Sequence, residues 1–146
     1  MNATVAKTLF EKGTAHLEGR LLEANGWTVH ERSFPVLDVS FADAGRQPLR
    51  VRLMCDDWND TPPTVLLLSP AGELLTALPA QRGATIFNGG CHPTTGRPFV
   101  CMAGVRDYHT HPSHVGELWT NYKNEESFSL GGLLTKLWHG WRRTWP

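Results

Sequence analysis

Between Cys91 and Trp119 the chain reads CHPTTGRPFVCMAGVRDYHTHPSHVGELW, which holds two of its three cysteines and four of its seven histidines. A thiol reacts as its thiolate, so a site that uses one wants partial exposure with donors or cations close by. Cys101 sits in the short apolar piece PFVCMAG and is followed by His109, His111 and His114, residues of the type that could supply them. Two chemistries are open to this set. In one, Cys101 is a nucleophile helped by a histidine, whose proton affinity suits base work near neutral pH. In the other, Cys101, His109, His111 and His114, with Cys91 or Glu117 in reserve, hold zinc through borderline ligands. His109 and His111 would share a face if their segment were extended. The sequence has no C-x-x-C pair and no H-E-x-x-H helix, so the metal spacing is permissive rather than diagnostic.

The other sulfur groups read differently. Cys55 ends an alternating strand and is expected to be a small core hydrophobe. Cys91, beside two glycines, is open to either a structural or a ligand role. Asp107 and Glu117 are candidates to orient a histidine or draw an attacking amine, although each taken singly reads as surface solvation.

The elements that must carry this segment follow from periodicity. Leu9, Phe10, Leu17, Leu21, Leu22 and Ala24 recur at helical spacing, which predicts a helix over about 3–24 with Asn25-Gly26 as its stop. In WTVHERSFPVLDVSFAD, Leu37, Val39 and Phe41 alternate with polar residues as in a half-buried strand. AGRQP is a turn, and LRVRLMC returns with Leu49, Val51, Leu53 and Cys55 on one face and Arg50 and Arg52 on the other. DDWNDTPP is a loop, and TVLLLS a third strand buried on both faces. PAGELLTALPAQRGATIF has no clear preference. Residues 88–123 form a long irregular segment, of the kind that usually carries function. Leu130, Leu133, Leu134, Leu137, Trp138 and Trp141 predict a closing helix, with Gly131 and Gly132 marking its start or a close packing contact. The fold class is α+β, with helices against a small antiparallel meander.

Bulk properties narrow the partners. The 146 residues suit one domain, 1–146, with a real core. Fourteen basic and 14 acidic residues give zero formal charge, which argues against a generic nucleic-acid binder. The start, MNATVAKTLFEKG, lacks a signal-peptide pattern, and TVLLLSP is too short to span a bilayer. Three cysteines without an export signal point to reduced thiols and a cytoplasmic location.

The order of these pieces resembles the ubiquitin-conjugating (E2) family. DDWNDTPPTVLLLSP looks like the family's proline step into a central strand. Cys91-His92-Pro93-Thr94 looks like its His-Pro-Asn motif. Cys101 follows His92 by nine positions, one short of the family's spacing, and Trp119 resembles the tryptophan beyond the catalytic cysteine. The departures are Thr94 in place of the motif's asparagine, the Tyr108–His114 insertion, and the absence of two final helices. Together they resemble the compact E2-like proteins of bacterial antiphage conjugation operons.

The resemblance implies a UBC-like fold. It implies that Cys101 accepts a ubiquitin-like protein as a thioester from an E1-like enzyme and passes it to a protein target, with no cofactor, nucleic acid or membrane involved. His92, Pro93 and Trp119 would shape the active-site loop. Thr94 can donate one hydrogen bond but cannot copy a carboxamide. The oxyanion or base role is therefore expected to fall to His111 first, then His109, with His114 and Asn121 behind. On the first helix, Lys7, Lys12, His16 and Arg20 would face the E1 partner. The competing expectations are the zinc domain and a catalytically inactive E2-like scaffold.

Overall fold

The structure, a computed structural model, describes residues 2–146 and, within that span, every side chain but that of Leu21, one of the leucines in the predicted helical period. The predicted 3–24 helix is two pieces, α1 (Ala3–Thr14) and α2 (Arg20–Ala24). Asn2 caps α1 by accepting the Thr4 N–H at 2.7 Å. Ala6, Phe10 and Thr14 form its buried stripe. The helix stops because the chain turns to drive Leu17 into the core and then passes through Gly19 at φ 91°. Arg32 from the sheet donates to the Thr14 and Ala15 carbonyls and so satisfies the end of α1.

Four strands follow as an antiparallel meander in sequence order: β1 (Trp27–Ser33), β2 (Val36–Asp43), β3 (Arg46–Met54) and β4 (Thr64–Leu68). Alternation read from the sequence sets the register, with Leu37 opposite Leu53, Val39 opposite Val51 and Phe41 opposite Leu49. All six are fully buried. The segment before Val36 is a strand in its own right, paired with β2 around a turn at Phe34-Pro35. Strand β4 buries Val65, Leu67 and Leu68 but leaves Thr64 and Leu66 half-exposed, so it is less enclosed than its apolar run predicts.

Helix α4 (Leu130–Thr144) closes the core, with Leu130, Leu133, Leu134, Leu137 and Trp141 all fully buried. Ser129 caps it. Gly131 and Gly132 occupy its first turn, and a Cβ at Gly131 would lie 2.6 Å from His16 Nε2. The glycines therefore mark both a start and a close contact, made with the His16 ring and the preceding turn rather than with the sheet.

The irregular 88–123 stretch is more ordered than its composition suggests. A two-residue hairpin, β5 (Phe87–Asn88) with β6 (Phe99–Val100), lies beside β4, and α3 (Arg106–Thr110) rests on both β4 and β6. These pieces are too short to show a period. No helix among the described residues is long and apolar enough to cross a membrane.

On the outer face of the meander Asp38 is 1% exposed. It takes two hydrogen bonds from Arg50, at 2.8 and 2.9 Å, and one from Arg52 at 2.9 Å. Burial raises its carboxyl, but the two guanidinium groups outweigh that and hold it below its ordinary value. Asp38→Ala is expected to cost about 1.5–3 kcal/mol in urea unfolding at pH 7, the range for hydrogen bonds to charged groups. Because the folded-state pKa is depressed, this contribution is complete above about pH 4 and is lost as pH falls through the folded value. The stability gap between wild type and variant should therefore close in acid.

Candidate active site around Cys101

Cys101 is the first residue after β6, and its N–H donates to the Ile86 carbonyl at 2.7 Å. That bond extends the hairpin by one step and sets the thiol at its edge, half-buried. The chain then turns at Gly104, runs through α3 and folds back over the thiol through residues 111–118. This return brings His114 Nε2 to 3.8 Å from Cys101 Sγ. The other ring nitrogen of His114, Nδ1, meets Glu117 Oε2 at 2.6 Å. Glu117 Oε1 in turn accepts the Tyr108 hydroxyl at 2.7 Å. The Tyr108 ring lies nearly flat on His114, with centroids 4.0 Å apart and planes 14° from parallel. A thiol, an imidazole, a carboxylate and a phenol thus form one connected line.

The electrostatics of that line are consistent with its geometry. Burial first, and the Glu117 charge second, push the Cys101 thiol above its ordinary value, which keeps it protonated at rest. The hydrogen bonds from Tyr108 and His114 hold Glu117 below the usual carboxylate range. Tyr108 is pushed up to about 12, chiefly by its bond to Glu117.

His109 and His92 serve the frame. His109 Nε2 accepts the Gly104 N–H at 3.0 Å and its Nδ1 meets the Glu117 carbonyl at 2.6 Å. An amide donor on one nitrogen and a carbonyl on the other require a neutral ring protonated at Nδ1. His109 therefore clips the turn after Cys101 to the residue that holds His114, and both its nitrogens are used. His92, 1% exposed, accepts the Thr94 N–H on Nδ1 at 3.1 Å and donates from Nε2 to the Asp107 carbonyl at 2.9 Å. It pins the β5–β6 connection to α3.

The remaining predicted residues are dispersed around this line. His111, the first expectation for the helper, has its Nδ1 beside Ser113 Oγ at 2.6 Å and stacks on Phe99. His114 takes the place next to the thiol. Thr94 and Pro93 are exposed in the β5–β6 connection. Asn121 ends a short 3-10 turn, Trp119–Asn121, and is exposed. Trp119 is buried against Trp58 and Phe128 and donates to the Asn59 carbonyl at 2.8 Å. Asp107 is 4% exposed, and burial raises its carboxyl despite the neighbouring charges of Arg97 and Arg106. A zinc set of Cys101, His109, His111 and His114 would have to break one of the two bonds of His109, since each of its ring nitrogens already has a partner. Among the described residues no three His, Cys, Asp or Glu side chains converge as a metal-holding group.

His114, which stood behind His111 and His109 in the expectation, is marked by a different signal. His114 and Glu117 stand three apart inside a turn, a local pair that holds one ring nitrogen and frees the other. Tyr108, nine positions from Glu117, could be placed only by the fold-back.

The fold and site define an α+β protein with a cysteine–histidine–glutamate line on the edge of a small hairpin. The chain belongs to the Y4jH-like family: the model of the Y4jH family matches residues 69–143, just over half of the chain and the whole of this site. It is also 42% identical over 41 residues to a protein of Sinorhizobium fredii (strain NBRC 101917 / NGR234) described as "Uncharacterized protein y4jH". That match takes in 28% of this chain and 20% of the relative, so the chain spans about a fifth of the length of the relative it matches.

The three thiols differ enough in setting to be separated chemically. Cys91 is exposed, Cys101 half-buried and Cys55 buried, with the Cys55 thiol pushed well up by burial and by Asp56. In native protein at pH 7.5 (about one unit below the ordinary thiol value), iodoacetamide should modify Cys91 first and Cys101 more slowly. Cys55 should react only after denaturation. Peptide mapping over time reads the order, and early alkylation of Cys55 would contradict this packing.

Proposed function

We propose that the chain is an E2-like conjugating enzyme with a UBC-like fold, which carries a ubiquitin-like protein on Cys101 and transfers it to a protein target. The observation that carries this reading is the placement of Cys101, half-buried at the end of β6 with His114 Nε2 3.8 Å away. Supporting it are the order of helix, four-stranded meander, loop and helix, and the role of His92 as a loop stabiliser. In the first transfer the Cys101 sulfur attacks the carbonyl carbon of the E1-bound thioester. The bond from that carbon to the E1 sulfur breaks, and the Cys101 proton ends on the departing E1 thiol. This is covalent catalysis, in which one difficult acyl transfer is split into two.

The test is intact mass after incubation with ATP, an E1-like enzyme and its ubiquitin-like protein from the same genome. A thiol-sensitive adduct heavier by one modifier should form, vanish in Cys101→Ala and become a reductant-stable ester in Cys101→Ser. No adduct, with the E1 shown to activate its modifier, would remove this reading.

A further inference from the structure

We infer that His114 is the general base of the second transfer, held in place by Glu117, and that the acyl acceptor it serves is an oxygen nucleophile, an alcohol hydroxyl or water. This inference rests on the reading that Cys101 carries an acyl group, and adds to it the identity of the base and the class of acceptor.

Three observations carry it. First, His114 has one nitrogen bound to a carboxylate and the other directed at the sulfur. This is the arrangement of nucleophile, base and orienting group that recurs where an O–H must be activated. Second, Glu117 has both oxygens committed, one to His114 and one to Tyr108. The carboxylate whose charge bears on the thiol is thus already bonded to the two groups that orient the base. Third, the stacked Tyr108 ring fixes the plane of the imidazole, so its free nitrogen keeps one direction.

Chemistry separates the two acceptor classes. A neutral amine attacks a thioester unaided, whereas a hydroxyl at neutral pH needs its proton removed in the transition state. In the step assigned here, the acceptor oxygen attacks the acyl carbon on Cys101 and its proton passes to His114 Nε2. The bond from carbon to Sγ then breaks, and the sulfur takes that proton back from His114. The products are an ester, or a free acid when water is the acceptor, and the original thiol. No redox partner is required.

The experiment uses the full chain carrying Cys91→Ser, loaded to completion on Cys101 with p-nitrophenyl acetate. Loss of the acetyl group is then followed by mass with N-acetylserine amide, with N-acetyllysine amide, and with water alone. Free S-acetylcysteine gives the intrinsic rates. Relative to that reference, the serine derivative or water should be accelerated roughly 10²–10⁴-fold, the range for general-base catalysis, and the lysine derivative far less. His114→Ala should lose this acceleration and regain part of it with added imidazole. Glu117→Gln should lower the rate at saturating serine derivative while leaving its half-saturating concentration in place.

A greater acceleration for the lysine derivative, or an undiminished rate in His114→Ala, would overturn the inference. A Cys101 that accepts no acetyl group would overturn it at the nucleophile. Acetyl transfer to hydroxyl without any adduct from the E1-like enzyme would instead remove the conjugating reading and leave the base and acceptor assignment standing.

Discussion

Everything near the thiol depends on α4 being seated against the meander. Leu130, Leu133, Leu134, Leu137 and Trp141 lie fully buried on the face formed by Leu37, Val39, Phe41, Leu49, Val51 and Leu53. These residues belong to one apolar cluster, and its driving force scales with the area removed from water. The small β5–β6 hairpin cannot stand alone at two residues per strand. It is held between β4 and the C-terminal end of the chain, where Phe87 packs on Trp145. A stable edge for Cys101 is therefore a product of the large core, not of the site's own residues.

Within the site the histidines divide by what their nitrogens touch. Two are wholly engaged with the backbone and give shape, His92 to the connection before the thiol and His109 to the turn after it. His114 keeps a nitrogen facing the sulfur. A residue type suited to proton transfer thus serves twice as a rigid two-ended tether, since a neutral imidazole can accept on one side and donate on the other.

This division explains what the sequence could and could not convey. The strands from Val36 to Leu68 were legible because their alternation is a direct image of one face meeting a core. The closing helix was legible for the same reason at its own period. The break near Gly19 was harder to see, because the sequence spacing of Leu17 and Leu21 keeps a helical rhythm across it. Around the site, composition pointed to Cys101 and its histidine-rich surroundings. It could not rank the histidines, because the order is set by a fold-back through residues 111–118 that no repeating pattern announces. His111 is closer to Cys101 in sequence than His114, and yet its Nδ1 is taken by Ser113.

Gly104 ties the two scales together. Its φ is 95°, and a Cβ there would lie 2.5 Å from Leu133 Cδ2 and 2.9 Å from Phe128 Cδ1. Its N–H is also the donor that fixes His109. The residue is thus a joint between the packed interior and the reactive rim, with no room for a side chain on the inner side and a required bond on the outer. Among descendants of a common ancestor, positions 104, 109, 128 and 133 would then drift as a set. A bulkier residue on α4 would reach the thiol's surroundings through this joint without ever approaching the sulfur.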